Sequence, residues 1–195
     1  DCGCGFAEDM QCSALSETWF RYARQQVSAS STAWMATLPA AIEFSCQGRR
    51  FRAIHGGVHR INQFIFASTD PQLKRQQMED VQADIILAGH CGIPFGQQIG
   101  QGYWLNAGAV GMPANDGTQQ GWYLLIQPAE TGIVVSWHRL DYDVQQSVES
   151  MQSTGLDGYA QSLVSGLWPS VDVLPPAEQS LSGQALTLND LIISC

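Results

Sequence analysis

The chain has 195 residues, 45% of them hydrophobic, which suits one domain of ordinary size with a sizeable core. Its 18 acidic and 9 basic residues give a formal net charge of −9, which excludes a basic nucleic-acid patch, because affinity for phosphate backbones depends on Lys and Arg. No apolar run approaches the roughly 18 residues that a membrane helix needs, and no polybasic surface for anionic lipid is present.

In chain order, Ser16 to Gln26 reads as a short amphipathic helix, and Ser31 to Leu38 as a second, stopped by Pro39. Ile42 to Cys46 and Phe51 to His55 read as strands joined at Gln47-Gly48. Asp70-Pro71 is a strong helix start, with Asp as N-cap and Pro at the first helical position, and that helix runs to about Val81. Asp84 to Ala88 is a short buried strand. Tyr103 to Asn106, Trp122 to Gln127 and Ile133 to Arg139 are further strands, and Asp143 with Gln146 opens another helix through a capping box. From Pro169 to about Gly183 the composition shifts to Pro, Ser and Val and reads as an irregular surface tail, with the apolar ending Leu186 to Ile193 docking back on the body. A hairpin among alternating strands and helices predicts an α/β fold with a sheet of mixed direction. The organisation read from this is an N-terminal helical or irregular segment over 1–29, an α/β core over 30–166 and a C-terminal tail over 167–195.

The six cysteines are Cys2, Cys4, Cys12, Cys46, Cys91 and Cys195. An even count admits disulfides, but a chain this long and apolar folds without them. Most are read as reduced thiols in a cytoplasmic protein. Cys2, Cys4 and Cys12 are close enough to hold a soft metal, yet their spacing matches no zinc site. The chain opens at Asp1 without the basic and apolar regions of a signal peptide, and is read as a processed product, one chain of a split protein or a fragment.

Two predicted strands end in a histidine flanked by glycine, at Ile54-His55-Gly56-Gly57 and Ala88-Gly89-His90-Cys91-Gly92. In open α/β sheets sites lie at the carboxyl ends of strands. Two such imidazoles converge naturally on a metal, and the glycines let backbone and substrate approach. Each is equally open to a structural reading. Cys91 is a candidate thiolate or a small buried residue. His59 is a candidate phosphate contact or a solvated loop residue, and His138 reads as structural.

His55-Gly56-Gly57 with Arg60-Ile61-Asn62-Gln63-Phe64-Ile65-Phe66 resembles the HGSP…NEYLF segment of the calcineurin-like metallophosphoesterases, in the bacterial subfamily of small phosphodiesterases. Gly89-His90-Cys91-Gly92-Ile93-Pro94-Phe95 is similar to that family's GHTHxPF. Asn106-Ala107-Gly108-Ala109-Val110-Gly111-Met112-Pro113 is similar to its NPGSVGxPR, and His138-Arg139-Leu140-Asp141-Tyr142-Asp143 to its HRVxYD. The motifs follow in order over residues 30 to 166.

The resemblance implies an α/β sandwich and hydrolysis of a small phosphodiester or phosphomonoester by a metal-bound hydroxide, with divalent ions (Mn, Fe, Zn or Ni) as cofactors. It makes His55 and His90 metal ligands. It makes His59, Asn62, Cys91 and Asn106 candidates on the substrate side, and it assigns no catalytic residue. Two departures accompany it. The second histidine of GHxH is Gly92 here, and the N-terminal motifs DxH, GDxxD and GNHD have no counterpart. The expectation is therefore a phosphoesterase that needs an N-terminal segment, as a separate chain or a missing piece. The alternative is a degenerate, non-catalytic relative acting as a binding or interaction module. A third reading, a redox or metal site of Cys91 and the terminal cysteines, has no CxxC pair to support it.

Overall fold

Consecutive isoleucines at positions 85 and 86 must face opposite sides of one strand, and each finds its own core there. The computed structural model describes residues 11–194. In chain order its elements are α1 (Gln11–Gln26), α2 (Ala29–Met35), β1 (Ile42–Cys46), β2 (Arg49–Ala53), α3 (Pro71–Asp80), β3 (Ile85–Ala88), β4 (Phe95–Ile99), β5 (Gly102–Asn106), β6 (Gly121–Ala129), β7 (Gly132–Leu140), α4 (Val144–Ser153), α5 (Asp157–Ser165), α6 (Pro176–Gln179) and β8 (Leu191–Ser194). The calls on Asp1, Cys2, Cys4, Cys195 and the Cys12 side chain lie outside the described residues.

One sheet has the order β1-β2-β3-β5-β4. Its three central strands β2, β3 and β5 are parallel, and the two edges, β1 on β2 and β4 on β5, are antiparallel. A second, antiparallel sheet runs β6-β7-β8. The fold is thus the mixed α/β sandwich that the sequence predicts. Phe51, Ile85 and Leu105 pack against Trp122, Ile133, Val135, Trp137 and Ile193 of the second sheet. Ile86, Trp104 and Ile99 face the other way, onto Met78 of α3, Ile65, Phe66 and Leu174. Gly96 is required where the layers meet, because a Cβ there would lie 2.4 Å from Trp137 Cη2.

The caps act as the sequence predicts. Asp70 accepts the N–H of Gln72 at 2.8 Å at the start of α3, and Asp143 accepts that of Gln146 at 3.0 Å at the start of α4. The segment from residue 167 is more than surface. Leu174 and Glu178 are buried in it, and Ile193 of β8 completes the core between the sheets. The Glu178 carboxylate ties it to the body by accepting both the N–H and the hydroxyl of Ser68, at 2.9 and 2.6 Å. Such long-range docking leaves no local sequence signal. Cys46 and Cys91 are free thiols. Among the described residues no helix is long and apolar enough to cross a membrane.

Candidate active site

The parallel strands β2, β3 and β5 deliver His55, His90 and Asn106 to one end of the sheet, each at or just beyond the carboxyl end of its strand. The loop after β2 folds tightly over this end, with the Gly57 N–H donating to Arg60 O at 3.1 Å. Gly56 makes that closure possible, since a Cβ there would stand 2.6 Å from Ile61 O and 2.7 Å from Gln63 O. The loop after β3 turns at His90 itself, whose φ is +59°. A histidine in the left-handed region is uncommon and is held there by its surroundings.

His55 Nε2 lies 3.0 Å from His90 Nδ1, and His90 Nε2 lies 3.1 Å from the backbone oxygen of Asn62. A carbonyl only accepts, so His90 carries its proton on Nε2. Its bare Nδ1 then faces His55, whose Nε2 donates to it. Burial, and after it the neighbouring His55 imidazole, push the His90 pKa down to about 4, against the pull of the Asn62 carbonyl. His90 is therefore a neutral imidazole at pH 7 with a lone pair directed at its partner. The Phe64 ring covers it at 4.2 Å between centroids.

Asn106 is fully buried and ties the two loops together. Its Nδ2 donates to Gly89 O at 2.7 Å and to Cys91 Sγ at 3.2 Å, and its Oδ1 accepts the Gly108 N–H at 2.8 Å. The Trp137 indole N–H, from the second sheet, binds the Asn106 carbonyl at 2.8 Å. Asn106 thus fixes loop shape and has both side-chain N–H protons committed to the fold. Cys91 is buried as well, and burial pushes its thiol up to about 12. That removes the thiolate reading, because the nucleophile and metal ligand is the thiolate. Asn62 enters through its backbone oxygen. His59 turns to α3, where its Nε2 pairs with Asp80 Oδ2 at 2.8 Å on the surface. His138 bonds Ser136 at 2.8 Å and stacks on Tyr123, a structural role in the second sheet.

The residue that local sequence reasoning misses is Trp168. Its indole N–H donates to Pro113 O at 2.7 Å, and its backbone N–H to Asn115 Oδ1 at 2.8 Å, which fixes the ring. The ring lies against Gly92, where a Cβ would meet Trp168 Cζ2 at 2.7 Å. Gly92 has a φ of +72°, and the space of a side chain there is already filled by indole. A lone large aromatic in the Pro- and Ser-rich segment is the one signal that could have found it.

These residues test how well a divalent centre fits. Two nitrogen donors at about 2.1 Å from one ion and 3.0 Å from each other subtend about 90° at the metal, an ordinary angle for neighbouring ligands. The Nε2–H to carbonyl bond of His90 is also the kind of outer contact that orients a ligating imidazole. His55 and His90 therefore bring two nitrogen donors to one place, where a cation could take both. No third donor joins this pair: no group of three or more His, Cys, Asp or Glu suited to a metal occurs among the described residues.

No protein-family model matches the chain, and no curated protein does. Solved structures do resemble it. A hypothetical protein from Pyrococcus horikoshii superposes with a TM-score of 0.66 at 12% identity, over 86% of this chain and 70% of that one. A metallophosphoesterase from Sphaerobacter thermophilus superposes with a TM-score of 0.62 at 18% identity, over 85% of this chain and 73% of that one. The chain has the metallophosphoesterase fold.

Proposed function

We propose that this chain is part of a metal-dependent phosphoesterase, acting on a phosphodiester or phosphomonoester, with His55 and His90 as two ligands of one divalent ion. The observation that supports it most is the imidazole pair itself, 3.0 Å apart at the carboxyl ends of adjacent parallel strands in this fold. An ion bound there would act as a Lewis acid on a phosphoryl oxygen and lower the pKa of water. The remaining donors, carboxylates above all, would come from an N-terminal segment or from residues outside those described.

The chain's own contribution is orientation and proton placement. His90 keeps its proton on Nε2 against Asn62 O, which leaves Nδ1 unprotonated and accepting from His55. His55 must give up the Nε2 proton that it now donates, and binding of a cation is therefore coupled to release or transfer of that proton. Asn106 holds Gly89 and Gly108 so that both loops present a fixed rim. Phe64 packs its ring on His90.

A second reading is favoured by one observation, the Trp168 ring over Gly92. It fits a relative that has given up part of its centre and binds without hydrolysis. Metal titration separates the two. For the phosphoesterase, the chain binds Mn(II) or Zn(II) stoichiometrically, His90→Ala abolishes binding, and bis(4-nitrophenyl) phosphate is hydrolysed once the N-terminal segment is supplied. Failure to retain any divalent ion with that segment present would leave the non-catalytic reading.

A further inference from the structure

The His90 ring borders a cavity that the metal reading leaves unused. About 210 Å³ of space opens there between Phe64, Met112, Tyr159, Trp168 and Val173. None of the side chains lining it is Lys, Arg, Asp or Glu. An anionic group placed inside would lose its hydration without a charged partner. An apolar group loses nothing of the kind and gains contacts.

The size narrows the choice further. A dry apolar cavity of about 150 Å³ accommodates a benzene molecule. A volume of about 210 Å³ matches one six-membered ring with its first linking atom. The shape is set in advance, because both N–H groups of Trp168 are bonded within the fold and its ring edge packs against Gly92. A rigid aromatic wall holds a flat ring in offset or edge-to-face contact at little ordering cost.

We propose that this cavity takes a single apolar ring, the aryl arm of a phosphoester whose phosphoryl group sits at His55 and His90. The class of substrate is thus a phosphoester of a phenol or benzyl-type alcohol. The phosphoryl half of the statement rests on the phosphoesterase reading, whereas the ring half rests on the cavity alone.

The test uses the full chain labelled with ¹³C at the methionine methyls, with Met112 assigned through Met112→Leu. Benzyl alcohol and phenylphosphonate are expected to shift the Met112 methyl saturably, and methylphosphonate at the same concentration is not. Ala109→Phe, which fills the cavity, is expected to weaken phenylphosphonate at least tenfold by calorimetry. Met112→Ala, which enlarges it, is expected to favour naphthylphosphonate over phenylphosphonate at least threefold. An equal Met112 response to methylphosphonate, or phenyl binding unchanged by both variants, overturns the proposal. Hydrolysis of methyl and phenyl esters with the same kcat/KM overturns it while leaving the phosphoesterase reading in place. Ring binding in a chain that holds no metal supports the ring site and defeats the phosphoesterase reading alone.

Discussion

The two ends of the parallel strands β2, β3 and β5 collect polar groups in opposite ways. At the amino end, Arg49 and Arg50 open β2, Asp84 precedes β3, and with Arg75 they line a cleft of about 520 Å³. Their charges are wet: Arg50 meets Asp84 at 3.4 Å with both side chains partly exposed. Burial pulls the Asp84 carboxyl upward, but the N–H and guanidinium of Arg50 outweigh it and hold the carboxyl below its ordinary range. At the carboxyl end, His55 hydrogen-bonds the half-buried, neutral His90, and the buried Asn106 ties the two loops through Gly89, Cys91 and Gly108. The lesson is that charge alone is a poor guide to the reactive end of this sheet. The end with few formal charges is the one where side chains from three strands converge through hydrogen bonds on two loops.

The comparison breaks most visibly at Asn106. Asn106→Ala leaves a carbonyl, a thiol and an N–H without their partner in a buried place, and is expected to lower unfolding free energy by about 3 kcal/mol in urea titrations. Next comes Gly92→Ala, which combines a φ of +72° with the Trp168 contact and is expected to cost about 2 kcal/mol. Combined with Trp168→Ala it is expected to cost less than the sum of the single changes, and a double-mutant cycle reads that coupling.

A third prediction concerns the one lysine, Lys74, fully buried between the ends. Its ammonium donates to Ala67 O at 3.0 Å and Gln97 Oε1 at 2.5 Å and lies 5.1 Å over the Phe95 ring. Burial lowers its pKa to about 8 from 10.5, more than Glu178 and the other nearby acids restore. Between these two values the unfolded chain holds more protons than the folded one, so this group makes stability rise with pH across that window. The rise is expected to vanish in Lys74→Met, measured by denaturation from pH 7.5 to 10.5. The smallest effect is expected at the amino end, where Arg50→Ala should cost about 0.5 kcal/mol or less, and less again in high salt.

Much of this was legible in the sequence, for local reasons. Asp70-Pro71 and Asp143 carry their own capping chemistry, and the buried run Ile85-Ile86-Leu87 announces a central parallel strand. The two His-Gly pairs mark strand ends because glycine must follow where a chain turns tightly. What was hidden depends on distant partners. Phe95–Ile99 carries no strong strand pattern and becomes β4 by folding back on β5 through Gly100. β8 is a strand because β7 offers an edge. The role of Asn106 as a buried tie, and of Trp168 as a wall, follows only when loops far apart in the chain meet.

The contact between Gly92 and Trp168 also constrains the order in which this protein could change over generations. A histidine at position 92 would collide with the indole, although His90 two residues earlier shows that a histidine can take a positive φ here. Position 168 would therefore have to shrink first, opening the wall before any donor could be installed. The barrier is one-sided: position 168 can change while position 92 stays glycine, but not the reverse.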